Sequence, residues 1–231
     1  MDLDQLPQIL GYVAAISLQI LILHAMRNGA WRKFPFVFLY VVVDLITNLV
    51  EIKPNLTADT MTAAAKHNWF MLYWWNERVI QATLLLLVIS LIYRASAHLR
   101  SRRALMAILI CGSVLYALVS LALHYDPEVT TGKWMTRWSR DMNFCIAILD
   151  LMLWATLIRI REKDQRILMI SGALGLQFTA GAIGQGLRDL SHNLTTMAAV
   201  MIVGANLACL YIWWSAFRVK VRAGKAHLVH S

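Results

Sequence analysis

Asp44, Asn48 and Glu51 follow one another at i, i+4 and i+7, a spacing that puts all three on one face of a helix. Glu77 and Gln81 repeat the i, i+4 step, with Arg78 beside them. Arg140, Asn143 and Asp150 stand at i, i+3 and i+10, and Gln177, Gly181, Gln185 and Arg188 at successive steps of four or three. Asn206 stands alone in the last apolar stretch. The chemistry open to such groups is limited and definite. Carboxylates take up protons or hold cations, guanidinium groups hold anions, and amides orient a polar ligand. An ionisable residue within an apolar span is expensive, and by default it marks a functional site.

Other chemistry finds little support. Cys111, Cys145 and Cys209 lie inside apolar stretches without CxxC spacing, as expected of small packing residues. His67, His124 and His192 share no HxxxH spacing. They are expected to be solvated at helix ends, not zinc ligands. No nucleophile stands beside a base within one stretch. The reading leans away from an enzyme and expects no cofactor and no metal.

The elements that position these groups follow from hydrophobicity. Of the 231 residues, 59% are apolar and 15% charged, against roughly 45–50% and 25% in soluble domains. Mean hydropathy is +0.56. The apolar residues gather into stretches long enough to cross a ~30 Å hydrocarbon core. Backbone polar groups in lipid must bond within their own segment, so each stretch is a helix. The expected fold class is all-α, a bundle of seven transmembrane helices in a single transmembrane domain, 1–231. The spans fall at 6–26, 35–52, 69–94, 104–124, 134–159, 166–189 and 194–217. The stretch 53–68 reads as the longest connection. Acidic Asp2 and Asp4 are unlike the basic start of a signal peptide, so the first span is expected to stay in the membrane.

Most of the 22 Lys and Arg residues fall on one side of these spans. That side holds Arg27, Arg32, Lys33, Arg94, Arg100, Arg102, Arg103, Arg159, Arg161, Lys163, Arg166, Arg218, Lys220, Arg222 and Lys225. Such asymmetry marks the cytoplasmic face, which puts the N-terminus outside and the C-terminus in the cytoplasm. Trp69, Trp74, Trp75, Trp134 and Trp138 form one aromatic belt, and Trp31, Trp154, Trp213 and Trp214 the other. The basic charge, with pI near 9.8, then points to anionic inner-leaflet lipid and not to nucleic acid.

Asp44 is nine residues from Pro35, and Asp150 nine from Arg159. At the helical rise each lies about 13 Å inside the membrane. Glu51, Glu77, Arg140, Asp141, Arg188 and Asp189 belong to the outer half. The polar groups thus converge, by expectation, on a hydrated pocket walled by spans two, three, five and six and open outward. The competing expectation is a structural network: Glu77 paired with Arg140 or Arg188, Asp44 with Arg78, and amides bonding across helices. The small residues of span six, Gly175 with Thr179 and Ala180 with Gly184, predict close helix packing.

The last span has no lysine for a retinal Schiff base, and no GxSx serine motif is present. Tyr73-Trp74-Trp75-Asn76-Glu77, continuing to Ile92-Tyr93-Arg94, resembles the third helix of small uncharacterised seven-helix bacterial membrane proteins. That resemblance implies the same topology and a bacterial inner (plasma) membrane, and brings no activity with it. Arg94 stands where that pattern carries an acid. Three functions fit the residues. The first is a ligand-binding or sensing module, or a membrane subunit, acting through a cytoplasmic or membrane protein partner. The second is a small proton-coupled transporter using Asp44 and Asp150. The third is a structural membrane subunit.

Overall fold

The computed structural model of the chain describes residues 6–27, 29–56, 61–96, 102–124, 131–160, 164–190 and 195–218. Within them every regular element is a helix. The elements are α1 (Leu6–Met26), α2 (Ala30–Lys33), α3 (Pro35–Leu56), α4 (Ala63–Ala95), α5 (Arg102–His124), α6 (Thr131–Ile160), α7 (Gln165–Leu190) and α8 (Thr195–Arg218). All but α2 are long and apolar enough to cross a membrane. α5 leaves Ile108, Leu115, Leu118 and Leu123 uncovered, Leu123 to 77%. In water such a surface would be a liability, whereas lipid solvates it. The chain is a multi-pass membrane protein.

The helix ends follow local chemistry. α4 starts where the Thr62 hydroxyl accepts the Ala65 N–H, an N-cap that satisfies an otherwise orphaned donor. α7 starts beside Asp164, whose carboxylate accepts the Arg166 N–H and complements the positive end of the helix. Between α1 and α2, Gly29 adopts φ 96°, a left-handed conformation that glycine takes without the cost of a Cβ. Pro35 opens α3, where its missing N–H is harmless. Three helices run three or more residues beyond the expected spans. α3 ends at Leu56, α4 begins at Ala63 and α6 at Thr131, so the described part of the expected long connection at 53–68 is largely helical.

Two compact units divide the chain: Met1–Leu49 with Lys163–Ser231, and Val50–Glu162. The division falls within α3. In the first unit, α7 and α8 form an antiparallel pair and α1 packs against α8. Trp213 is fully buried there; it lies edge-on to Tyr40 at 5.5 Å and donates its indole N–H to the Ile170 carbonyl over 3.2 Å. At Gly184 an added Cβ would lie 2.6 Å from Ile202 Cδ1, so α7 and α8 meet there so closely that Ile202 would have to move for any larger residue, in keeping with the close packing expected of the small-residue spacing. In the second unit α6 packs against both α4 and α5, around Leu87, Leu91, Ile146, Leu153 and Leu157.

Candidate functional site

In the second unit, α4 and α6 bring four of the predicted residues together. Glu77, Arg78 and Gln81 occupy little more than one turn of α4. Asn143 faces them from α6, with Ser139 one turn before it. Gln81 is 2% exposed. Its amide nitrogen lies 3.0 Å from Glu77 Oε1, 3.3 Å from the Ser139 carbonyl and 3.4 Å from Asn143 Oδ1, and it also bonds the Ser139 hydroxyl. The Ser139 hydroxyl donates to Glu77 Oε1 over 3.1 Å. An amide NH2 has two hydrogens, so acceptors outnumber protons around this nitrogen.

Arg78 meets neutral groups. It donates to Gln81 Oε1 over 3.0 Å and to the Met135 carbonyl over 3.4 Å. Its guanidinium carbon lies 4.3 Å from the centre of the Trp138 ring and 5.3 Å from that of Trp74. Both fall within cation–π range. Trp74 sits one helical turn before Arg78, so the same periodicity that aligns Glu77 with Gln81 sets an aromatic ring under the cation. Among the described residues neither Glu77 nor Arg78 forms an ion pair. Arg140, one expected partner of Glu77, is exposed.

The remaining predicted residues of this unit are placed apart from that cluster. Glu51 accepts from the Asn76 amide over 3.2 Å, which ties the end of α3 to α4. Asp150 is buried on α6 at 2% exposure, about two turns beyond Asn143. A further constellation joins α5 to α6: Asp141 Oδ2 accepts the Ser120 hydroxyl at 2.8 Å and lies 2.9 Å from His124 Nε2. Serine and imidazole share one oxygen here and do not bond each other. The arrangement therefore lacks the nucleophile–base contact of covalent catalysis. His124 accordingly has a partner, where a solvated ring was expected. Among the described residues no cluster of His, Cys, Asp or Glu has the makings of a metal site; His192 lies outside them.

In the first unit, Asp44 on α3 accepts the side-chain N–H of Gln19 on α1 over 2.6 Å. Gln19 is fully buried and Asp44 8% exposed. The Gln19 oxygen has no hydrogen-bond partner, nor has the amide nitrogen of Asn48. Gln177 donates to Asn206 over 3.4 Å, linking α7 to α8. Gln185 and Arg188 belong to α7, and their side chains lie outside the described set.

Gln19, Asn76, Ser120, Ser139 and Asp141 carry bonds that the sequence reading did not assign. For Ser139 a signal existed, since it lies four residues before Asn143 and shares its face. Gln19 was signalled only by being polar in the middle of an apolar run.

No family model, no curated protein and no solved structure matches this chain.

Proposed function

We propose that this chain is a membrane-embedded binding or sensing module whose ligand engages the polar cluster between α4 and α6. The observation that carries this reading is the surplus of acceptors at Gln81, set beside a carboxylate and a guanidinium that each rest on neutral partners. In an apolar medium a purely structural pair of charges gains most from direct contact. Here the two charges attract each other without direct contact, and each is hydrogen-bonded to neutral groups, a pattern suited to a group arriving from outside. The ligand class is a small polar molecule that brings N–H or O–H donors to Glu77, Ser139 and Asn143. Signalling would pass to a protein partner, cytoplasmic or in the membrane. The resemblance of the Tyr73–Arg94 region, the basic asymmetry and the tryptophan belts favour a bacterial inner membrane, with the N-terminus outside and the C-terminus in the cytoplasm. The same asymmetry favours anionic inner-leaflet lipid as neighbour.

The test is thermal stabilisation of purified protein by a panel of small amines, polyols and amino acids, since a ligand that binds only the folded state raises its stability. The reading expects a compound that stabilises the wild type and not Glu77→Gln. A panel that stabilises neither, with Glu77→Gln markedly less stable than wild type, makes the cluster structural and overturns it.

A second reading, a proton-coupled carrier, has its own support in the Gln19–Asp44 pair. A carboxyl with a single neutral amide partner has no counter-ion in contact to fix its charge. It predicts pH-driven flux in proteoliposomes that Asp44→Asn abolishes, and wild-type vesicles without flux exclude it.

A further inference from the structure

One end of the first unit gathers positive charge around an aromatic plug. Phe34, just after α2, and Phe217, at the end of α8, are both buried and meet edge-on at 5.7 Å. Lys33 precedes Phe34 and Arg218 follows Phe217, so this contact brings the two basic positions to the same end of the unit. On the α2 side, Arg32 lies over the Trp31 ring at 5.3 Å. On the α8 side, Arg218 lies over the Trp214 ring at 4.9 Å. Arg27, Arg32, Lys33 and Arg218 are all exposed. The segments 24–39 and 207–218 contain no Asp or Glu. The start of α7 reaches the same end, because α7 runs antiparallel to α8, and it adds Arg166 and Asp164. The acid there is engaged with the helix start.

We infer that Arg32, Lys33 and Arg218, with the Trp31 and Trp214 rings, form a binding site for the phosphodiester headgroup of an anionic phospholipid. A guanidinium stacked on an indole has one face covered and its N–H edge free, and that edge matches two phosphate oxygens at once. Tryptophan favours the headgroup level of a bilayer, so the stacked rings hold the cations at the depth where phosphates lie. Gly29 contributes directly. Its left-handed turn starts the single turn of α2, which buries Ala30 and leaves Trp31, Arg32 and Lys33 outward. The site rests on membrane embedding and is independent of the α4–α6 cluster.

The test is native mass spectrometry of the full chain released from nanodiscs of equal phosphatidylglycerol and phosphatidylcholine. The wild type is expected to retain phosphatidylglycerol preferentially. Arg32→Gln with Arg218→Gln should reduce that retention about tenfold or more, since it removes both guanidinium forks that would hold the phosphate oxygens. Arg103→Gln with Arg159→Gln, on exposed positions of the other unit, removes the same charge and should leave retention intact. Arg32→Lys with Arg218→Lys keeps the charge, guards against loss through misfolding and should retain an intermediate amount. Equal retention of both lipids by the wild type overturns the site, as does equal loss from the two Gln pairs, which would leave charge alone as the cause. Failure to enter nanodiscs at all would instead remove the membrane reading on which the site rests.

Discussion

Gln19 of α1 donates its side-chain N–H to Asp44 of α3 over 2.6 Å, and both side chains are buried. The bond joins two helices where both side chains are shielded from solvent, so each group depends on the other for its polar contact. The partners are unequal, because Asp44 loses more when stranded than Gln19 does.

That inequality gives the first prediction. Asp44→Asn keeps an oxygen for the Gln19 N–H and should change unfolding free energy by less than about 1 kcal/mol. Gln19→Leu strands a carboxyl and should cost about 1–3 kcal/mol. Chemical unfolding in a single detergent, with all variants at matched pH, measures both. An equal loss from the two substitutions would mean that the bond does not organise this helix pair.

The cluster on α4 and α6 should tolerate its members differently. Ser139→Ala removes one donor to Glu77 and one acceptor of several around Gln81, and is expected to cost under about 1 kcal/mol. Gln81→Leu removes the common hub and should cost about 1–2 kcal/mol, in keeping with interhelical hydrogen bonds in membranes. The double variant should lose less than the sum, because the two share bonds. Strict additivity would place the residues in separate networks.

Trp138 covers Arg78 at 4.3 Å and donates its N–H to the Ala117 carbonyl over 3.1 Å. Trp138→Phe keeps a ring over the cation but drops the bond to α5, and Trp138→Leu drops both. The expected order of stability is wild type, Phe, Leu, with about 1–2 kcal/mol between the last two from the lost cation–π contact. In an Arg78→Gln background the Phe-to-Leu difference should shrink. If it persists unchanged, the ring is stabilised by packing and not by the cation.

At Gly184 a new Cβ would lie 2.6 Å from Ile202 Cδ1 and 2.7 Å from Cγ1. Those are the far atoms of a side chain able to turn aside, so Gly184→Ala is expected to cost about 1–3 kcal/mol, the usual range for overpacking. Gly184→Leu should cost more. Adding Ile202→Ala to Gly184→Ala should recover part of the loss, measured as a double-mutant cycle. No recovery would place the strain at the Ala198 carbonyl, 3.4 Å away.

The spans were legible because lipid imposes a rule without exceptions: about 20 apolar residues, all helical. The ends of α4 and α6 were not, because that rule stops at the headgroups. Ala63, Ala64 and Ala65 are strong helix formers behind a Thr62 cap, and they extend α4 where hydropathy has no opinion. Within the site, Glu77 with Gln81 could be read from spacing, since both lie on one helix. Gln19 could not, because its partner is on another helix and no periodicity within one stretch reports a contact between two. The ion pairs expected of Glu77 reflect the same gap: opposite charges suggest each other in a sequence, while a serine and an amide, the partners found, are individually unremarkable.

With 33 residues, α4 is about 50 Å long, against a hydrocarbon thickness of ~30 Å. A rod that outruns its slab can lean to match a thick membrane or lean further to match a thin one, at a modest cost per ångström. Lys66, His67 and Asn68 are polar and exposed near its first turns, and the stretch from Trp69 to Ala95 still outruns the slab at about 40 Å. The bilayer's own thickness thus acts on the helix that carries Glu77, Arg78 and Gln81, and vesicles of graded acyl-chain length would tilt it without any change of sequence.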